Sequence, residues 1–203
     1  MKINSNRWNI IRYTIYTPIY DLFGNILRRS RRKAIDMLNI QAGDKVLLLG
    51  AGTGLDFNMI HDKCEITATD ITPSMVAVMQ RRSKKLKRNI ICMQMDAQQL
   101  NFPDESFDCV ILNLILAIVP DPESCFKEAE RVLKTGGHML IFDKLLQKHK
   151  KPSLLRKILN PITSFFFSSI TLSFSTIYKY SSMKIKADKP TFRNLFRIIV
   201  LKK

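Results

Sequence analysis

The sequence predicts an α/β fold, a doubly wound sheet of seven strands that is mostly parallel and has an antiparallel last strand. Three observations lead to this fold class. Short apolar runs alternate with stretches of helical periodicity between residues 45 and 142. The first run leads straight into a glycine-rich turn at 50–54, as in sheets that bind a ligand at their carboxyl edge. The last two runs are joined by a hairpin-sized segment, which favours antiparallel pairing.

Each expected strand is a short run rich in aliphatic or β-branched residues and bounded by turn residues. Parallel neighbours require a crossover connection, and the segments between the first five runs supply one. Helices should therefore cover both faces of the sheet. The expected strands are residues 45–49, 65–69, 90–95, 107–112, 139–142, 183–187 and 195–201.

Helical periodicity predicts two helices before the first strand, separated near Pro18, with the basic residues of 28–33 on the exposed side of the second. The glycine-rich turn should open another helix, whose N-terminus would favour an anion. The segment 73–86 has proline in its first turn and a basic end, which is typical of a helix. A helix at 122–133 would be stopped by Gly136 and Gly137.

The charge of the chain is uneven. It carries 33 Lys and Arg residues against 17 Asp and Glu residues, a formal net charge of +16. Residues 1–40 contribute +6 and residues 147–203 contribute +12, whereas residues 41–146 contribute −2. Basic ends indicate an anionic partner, either nucleic acid or an anionic membrane surface, with solvated surface charge as the alternative.

Neither a metal site nor a membrane span is expected. The four cysteines form no CxxC pair and show no metal-ligand spacing with the histidines, so reduced thiols are predicted. The uncharged stretch 158–178 is interrupted by Asn160 and Pro161 and is rich in Ser and Thr, which favours an interfacial or buried segment. Residues 1–20 lack a secretory signal pattern. We expect a cytoplasmic protein, with a peripheral position at the inner membrane surface as an option.

The glycine-rich turn indicates a nucleotide-like ligand. Gly50, Gly52 and Gly54 follow the first strand and would let backbone N–H groups approach a ligand closely. Asp70 ends the second strand, where it can accept hydrogen bonds from a ribose diol. The spacing lacks the third glycine of the dinucleotide GxGxxG pattern, so it suits a ligand whose only anion is a carboxylate. S-adenosyl-L-methionine has that chemistry.

Five sequence blocks occur in an order that resembles a known family. They are residues 46–54, 70–75, 96–100, 102–108 and 130–137. Together they are similar to the class I S-adenosylmethionine-dependent methyltransferases, which have a Rossmann-like fold. Within that family, the DA-x-x-L-x-FPD-x-SFD run resembles the phosphatidylethanolamine N-methyltransferase and the ubiquinone/menaquinone C-methyltransferase branches.

The resemblance implies roles for individual residues. The three glycines of the turn would line the methionine part of the cofactor, with backbone amides near its carboxylate, and Asp70 would bind the ribose. Ile71 and Met75 would pack on the adenine, whose amino group Asp96 would bind, with Ala97 beside it. The expected cofactor-binding residues are Tyr20, Gly50, Ala51, Gly52, Thr53, Gly54, Asp70, Ile71, Met75, Asp96, Ala97, Asn113 and Leu114.

The resemblance also concerns the reacting end of the cofactor. Asn113 and Leu114 would lie under the sulfonium, and Tyr20 would cap the pocket. The sequence departs from the family at Leu48, where relatives usually carry an acid that supports the ammonium group of the cofactor. Unless another acid substitutes, this leucine would weaken cofactor affinity or mark a non-catalytic relative.

The function expected from the resemblance is methyl transfer to a small or lipid-like acceptor, of the phospholipid amine or quinone type. The alternatives are an RNA methyltransferase and a non-catalytic methyltransferase-like protein; nucleic acid is not the expected partner, because no RNA-binding module is recognisable. Methyl transfer is an in-line displacement that depends on alignment, and a protonated amine or a carbon acid also needs a base. Asp21, Asp143 and Tyr20 are candidates for that base, and nothing in the sequence selects among them. The oligomeric state is not defined either.

The domain organisation follows from these expectations. Residues 1–203 would form a single methyltransferase domain. Within it, residues 1–40 would be an N-terminal helical cap, residues 41–146 the cofactor-binding core, and residues 147–203 a basic part that completes the sheet.

Overall fold

A computed structural model of the protein describes residues 4–146, 154–166, 168–192 and 194–203. A single sheet with the strand order β3-β2-β1-β4-β5-β7-β6 lies at its centre. Strands β1 to β5 pair in parallel, and β7 is antiparallel to both of its neighbours, which confirms the predicted fold class. The strands are β1 (Lys45–Leu49), β2 (Glu65–Asp70), β3 (Ile90–Gln94), β4 (Phe107–Asn113), β5 (Leu133–Asp143), β6 (Lys184–Thr191) and β7 (Phe196–Lys202).

Helices cover both faces of this sheet. Pro73 and Pro122 occupy first-turn positions of their helices, and Asp121 caps the second of these by accepting hydrogen bonds from the Glu123 and Ser124 amides. The helices are α1 (Asn6–Tyr16), α2 (Tyr20–Ile26), α3 (Arg28–Asp36), α4 (Pro73–Lys85), α5 (Pro122–Val132), α6 (Leu154–Phe166) and α7 (Phe174–Tyr178).

Both faces of the central strands are apolar because each face packs against helices. Val46 and Leu48 of β1 face the side on which α3 and α4 lie, whereas Leu47 and Leu49 face α5 and α7. All four side chains are at most 1% exposed. The continuous apolar run of β1 is thus the pattern of a strand buried on both faces.

The helix expected after the glycine-rich turn does not form. That segment contains only a short 3-10 turn, Phe57–Met59. The Phe57 ring packs against Gly54, and Asp56 forms a buried ion pair with Arg31 of α3. The prediction that Arg31 is exposed was also wrong, since it is 3% exposed; its partner lies 25 residues away, beyond the reach of local periodicity.

Gly136 and Gly137 do not stop a helix, contrary to the prediction. Helix α5 ends at Val132 and β5 begins at Leu133, so both glycines lie inside the strand. The β4–β5 register shifts there, and Gly136 adopts a φ of +84°. A Cβ on Gly137 would come within 2.8 Å of the Asp108 carbonyl oxygen. These glycines therefore form a β-bulge.

Helix α6 begins before the uncharged C-terminal stretch and continues into it through Asn160 and Pro161. The Asn160 side-chain oxygen accepts a hydrogen bond from the Ile170 amide at 2.8 Å and so ties the following segment to the helix. No helix among the described residues is long and apolar enough to cross a membrane. The basic segment 147–153 and Phe167 lie outside the described residues.

Candidate active site

A cleft opens at the carboxyl ends of the parallel strands, where the strand order reverses between β1 and β4. Ligands of open α/β sheets bind at this switch point, because the loops diverge there and leave a crevice. Helix α1 closes the cleft from the other side. Its wall is formed by Asn6, Asn9, Tyr13, Tyr20, Gly50, Gly52, Asp70, Ile71, Thr72, Met75, Met95, Asp96, Ala97, Leu114, Ile115, Ile118 and Val119.

Most of the residues predicted from the sequence meet at this wall. Those that do are Tyr20, Gly50, Gly52, Asp70, Ile71, Met75, Asp96, Ala97 and Leu114. Four others, Ala51, Thr53, Gly54 and Asn113, are buried behind the wall instead.

Asp70 is held rigidly at the end of β2. Its Oδ2 accepts a hydrogen bond from the Gly52 amide at 2.9 Å, and its Oδ1 accepts one from the Thr72 amide at 2.8 Å. Burial raises the pKa of this carboxyl group, although the two amides oppose the rise. Each oxygen keeps a further lone pair, so the carboxylate can still accept hydrogen bonds from a diol.

Asp96 is held from helix α1, which the sequence prediction missed. Its Oδ2 accepts a hydrogen bond from Asn6 Nδ2 at 2.6 Å, and its Oδ1 accepts one from the Gln98 amide at 2.9 Å. Asn6, Asn9 and Tyr13 are spaced by three and four residues, so they share one face of α1. That polar stripe was a signal in the sequence that could have placed α1 on the cleft.

The glycine-rich turn lies close beneath Tyr20. Gly52 has a φ of +58°, and a Cβ there would lie 3.1 Å from the Tyr20 ring. The Gly52 amide is engaged by Asp70, and the Gly54 amide donates to the Ala51 carbonyl at 3.0 Å. Two of the three glycine amides expected near the cofactor carboxylate are therefore already used within the protein.

Asp21, a candidate base, does not line the cleft. It accepts a hydrogen bond from Thr53 Oγ1 at 2.5 Å and forms an ion pair with Arg82 of α4. This pairing ties α2 to the glycine-rich turn and to α4. The contacts of Asp21 therefore indicate a structural role.

A buried polar cluster lies directly behind the turn, on the Leu48 face of the sheet. The Arg31 Nε and Nη2 atoms donate to the two Asp56 oxygens, each at 2.8 Å. Asn113 Nδ2 donates to Asp56 Oδ2 at 2.9 Å. The Arg31 guanidinium also lies beside the Tyr20 hydroxyl, and Asn113 Oδ1 is buried without a hydrogen-bond partner among the described residues.

A second cavity of about 440 Å³ adjoins the cleft. Its surface is mainly apolar, and it shares Tyr13, Tyr20, Leu114 and Ile118 with the cleft wall. It is large enough to hold a small organic molecule or part of a lipid. Its wall is formed by Tyr13, Tyr16, Ile19, Tyr20, Gly24, Leu27, Leu114, Ile118, Asp143, Lys144, Ser168 and Phe196.

Two charged residues lie in this apolar cavity. Asp143 accepts hydrogen bonds from the Ala117 amide at 3.0 Å and the Lys144 amide at 2.7 Å, and burial raises its pKa to about 6. Lys144 Nζ lies 3.1 Å from Ser168 Oγ, and burial lowers its pKa. The cavity thus offers an acid and a cation beside an apolar wall.

The chain matches known proteins over its central part. Residues 47–141 match the family described as a methyltransferase domain. The phosphatidylethanolamine N-methyltransferase of Cereibacter sphaeroides is 33% identical over 126 residues, which are 61% of this chain and 62% of that protein. The UbiE ubiquinone/menaquinone biosynthesis C-methyltransferase of Pasteurella multocida (strain Pm70) is 35% identical over 136 residues, 61% of this chain and 50% of that protein. The chain therefore spans less than two thirds of either relative.

Solved structures share the fold. A SAM-dependent methyltransferase from Aquifex aeolicus superposes with a TM-score of 0.66 at 18% identity, covering 85% of this chain and 89% of that one. Geranyl diphosphate methyltransferase in complex with SAM gives a TM-score of 0.75 at 14% identity, covering 86% and 84%. At these identities the likeness concerns the fold.

The donor set of the cleft fits the cofactor of this family, S-adenosyl-L-methionine. The Asp70 carboxylate retains lone pairs for a diol, and Gly50 and Gly52 form part of the cleft wall beside it. These observations agree with the sequence blocks and with the match to the methyltransferase-domain family. Residues 47–141 of this chain, just under half of its length, are therefore similar to the methyltransferase-domain family.

Proposed function

We propose that the protein binds S-adenosyl-L-methionine in the cleft and transfers its methyl group to a lipid-like acceptor held in the second cavity. The observation that carries the proposal is the shared wall of Tyr13, Tyr20, Leu114 and Ile118. Because the two cavities share these four side chains they adjoin, so a sulfonium in the cleft would lie next to an acceptor in the second cavity. In-line alignment of the two is the main requirement of this reaction.

The cleft residues would hold the cofactor as the sequence blocks imply. Asp70 would accept hydrogen bonds from the ribose hydroxyls, and Asp96 would accept one from the adenine amino group. Ile71 and Met75 would pack on the adenine ring. When bound, the cofactor supplies an electrophilic methyl group; the protein excludes water and fixes the direction of attack.

An amine phospholipid is the acceptor that the charged residues of the second cavity favour. Asp143 can bind an ammonium group and take up its proton, since its raised pKa of about 6 makes it a better base than an exposed carboxylate. Lys144 can bind the phosphate of the same headgroup. A quinol-type acceptor would use the same apolar wall and could give its proton to the same carboxylate.

The protein would reach such an acceptor at an anionic membrane surface. Exposed apolar side chains form a stripe along α1 and α2 and another along α6, and Trp8 stacks on Phe165 where the two meet, with ring centroids 4.5 Å apart. Exposed basic residues of α3 add positive charge. Cations beside exposed apolar side chains favour anionic lipid. The stripe residues are Ile11, Ile15, Ile19, Leu22 and Ile26, with Leu154, Ile158, Ile162 and Phe165 on α6.

We also propose that residues 1–203 act as one domain. Residues of α1 line the cleft whose floor lies in the central core, and β7 pairs with β5 of that core. Removing either end would therefore open the cleft or leave an unpaired strand edge.

Radiolabel transfer tests the proposal. The protein would be incubated with methyl-labelled S-adenosyl-L-methionine and one of three acceptors: vesicles containing phosphatidylethanolamine, vesicles containing a demethylated quinol, or bulk RNA. Label in the lipid extract is expected, with the Asp143→Asn variant strongly reduced. Label in RNA alone, or binding of the cofactor without transfer to any acceptor, would contradict the lipid proposal.

A further inference from the structure

An open groove of about 660 Å³ runs along the exposed side of helix α3. Four cationic side chains and one acidic side chain line it, and none of them belongs to the wall of the cleft or of the second cavity. Within the part of the chain that the structure describes, none of the four cations forms an ion pair. The lining residues are Arg28, Arg29, Arg32, Lys33, Asp36 and Met37.

The arrangement of these cations opposes the stability of the helix that carries them. Arg28 and Arg32 are four residues apart, as are Arg29 and Lys33, and like charges at this spacing destabilise a helix. The first turn of α3 contains no acid, so Arg28 and Arg29 also lie at the positive end of the helix dipole. A bound anion would offset both effects.

The donors of the groove are of the kind that binds phosphate. Arg32 Nη2 donates to the Asn58 carbonyl oxygen at 2.8 Å, which orients this guanidinium group, and the other three cations are exposed to solvent. Guanidinium groups bind phosphate through paired N–H donors, and a lysine adds a compact positive charge. Because four positive charges face one negative charge, the groove favours a phosphate that carries more than one negative charge.

Exposed apolar side chains border the groove on two sides. Ile26, at the end of α2, precedes Arg28 by two residues and is 63% exposed. The turn between β6 and β7 carries Phe192, which is 41% exposed. The Thr191 and Ser30 hydroxyl groups, 3.4 Å apart, hold this turn against α3. A cationic groove between exposed apolar side chains is complementary to a phospholipid surface rather than to a soluble anion.

The groove also adjoins the second cavity. Phe192 has a φ of +46°, which is uncommon for a bulky residue, and its ring packs edge-on against Phe196 with centroids 5.8 Å apart. Phe196 lines the second cavity, and so does Leu27, which directly precedes Arg28. A lipid bound in the groove would therefore lie beside the wall of that cavity.

We infer that the groove of α3 binds the phosphate of an anionic phospholipid that is not the methyl acceptor. The four cations of the groove take the phosphate oxygens, while Ile26 and Phe192 enter the adjoining apolar layer. The site deepens the proposed membrane contact, on which it rests, because it names the lipid class that holds the second cavity at the surface.

Two double variants that remove the same charge test this site. Arg29→Gln/Lys33→Gln removes two cations of the groove, and Lys84→Gln/Lys85→Gln removes two exposed cations at the end of α4, outside the groove. Glutamine favours helix, so both variants should fold, which urea denaturation checks. Co-sedimentation of the full chain would use phosphatidylcholine vesicles that contain phosphatidic acid, a phosphomonoester lipid, and retention on bulk RNA would be measured in parallel.

The groove variant should lose about tenfold or more in partition onto the phosphatidic acid vesicles, as expected for two cations at an anionic surface, and the α4 variant less than about threefold. Equal losses in the two variants, or a loss confined to RNA binding, overturn the inference. Failure of the proposed function gives a different result. A wild type that transfers no labelled methyl group to detergent-dispersed phosphatidylethanolamine would contradict that function, whereas partition onto vesicles decides the role of the groove.

Discussion

At Gly52, the absence of a side chain allows a left-handed backbone conformation and avoids crowding at the wall of the cleft. The residue has a φ of +58°, which costs a non-glycine residue about 1 kcal/mol or more. A Cβ there would also come within 3.1 Å of the Tyr20 ring, at the wall of the cleft. Gly136 has a similarly positive φ of +84° but has open space around it. A comparison of alanine variants at the two positions therefore distinguishes the effect of backbone strain from the effect of crowding in the cleft.

We expect Gly52→Ala and Gly136→Ala each to lower the free energy of unfolding by about 1 kcal/mol, because both place an alanine in the left-handed region. Only Gly52→Ala should weaken cofactor binding, by about tenfold or more, since only there does the new methyl group reach the cleft. Urea denaturation and titration with S-adenosylhomocysteine measure the two effects. Equal cofactor affinity in both variants would contradict the placement of Gly52.

Asp143 should make stability depend on pH in a defined window. Its pKa is raised to about 6 by burial, so the folded state binds its proton more tightly than the unfolded state does. The contribution of this group to the free energy of unfolding is fully present below the unfolded pKa of about 3.9. It is lost as pH rises through about 6, which lowers the free energy of unfolding by roughly 3 kcal/mol.

Asp143→Asn removes this titration. As pH rises from about 4 to about 7, the wild type should therefore lose unfolding free energy relative to the variant. The variant also loses one acceptor for a backbone amide, which lowers its stability at every pH. Urea denaturation at several pH values tests the expectation. A difference that is independent of pH would show that Asp143 has an ordinary pKa.

At the scale of elements, α1 and α6 each make contacts within the protein on one side and expose apolar side chains on the other. The polar side of α1 holds Asp96 through Asn6, while its opposite side exposes isoleucines. Helix α6 packs Phe165 on Trp8 and exposes Ile158 at 70%. Amphipathic helices beside a cleft can therefore both complete the site and present it to a lipid surface.

Replacing an exposed apolar side chain of this surface by an acid should weaken membrane binding and leave the fold intact. Ile15→Asp and Ile158→Asp change side chains that are 67% and 70% exposed. Each should reduce partition onto vesicles with anionic lipid by about fivefold or more, because about 1 kcal/mol of apolar contact is lost and a repelled charge is gained. Co-sedimentation measures the partition.

Ile91→Asp is the matched control for that experiment. Ile91 is 54% exposed, but it lies on β3, the edge strand at the end of the sheet opposite to β6. Its replacement adds the same charge outside the apolar surface. A loss of vesicle binding as large as in the helix variants would point to net charge alone as the cause.

At the scale of the whole molecule, charge and cofactor chemistry are separated along the chain. The two ends contribute +6 and +12, whereas residues 41–146, which include the parallel strands, contribute −2. Raising the salt concentration from about 0.1 M to about 1 M shortens the screening length from about 10 Å to about 3 Å. Interactions of the ends with an anionic surface should therefore be sensitive to salt, and those of the cleft should not.

We expect vesicle binding to fall by more than about tenfold over that range of salt, while affinity for S-adenosylhomocysteine changes less than about twofold. Co-sedimentation and isothermal titration at the two salt concentrations measure the effects. Vesicle binding that does not respond to salt would show that the apolar stripes act without the basic ends.

The sequence by itself determined the sheet and the position of the site. Apolar runs, turn residues and the glycine pattern are local, so they define β1 to β5, the antiparallel β7 and a cleft at Gly50, Gly52 and Asp70. The blocks shared with the methyltransferase family added the cofactor, because their order along the chain reflects the order of the loops around the cleft.

Only the tertiary structure decided which polar groups meet behind and across that cleft. Arg31 and Asp56 are 25 residues apart, and Asn6 and Asp96 are 90 residues apart. No periodicity connects such pairs, so Arg31 among five neighbouring basic residues could not be told from a solvated side chain. The wall of the second cavity likewise combines residues that are distant in sequence, from α1, α2, β5 and β7 among other segments. Local patterns specify elements, whereas burial and pairing of charged groups depend on contacts that exist only after the elements have packed.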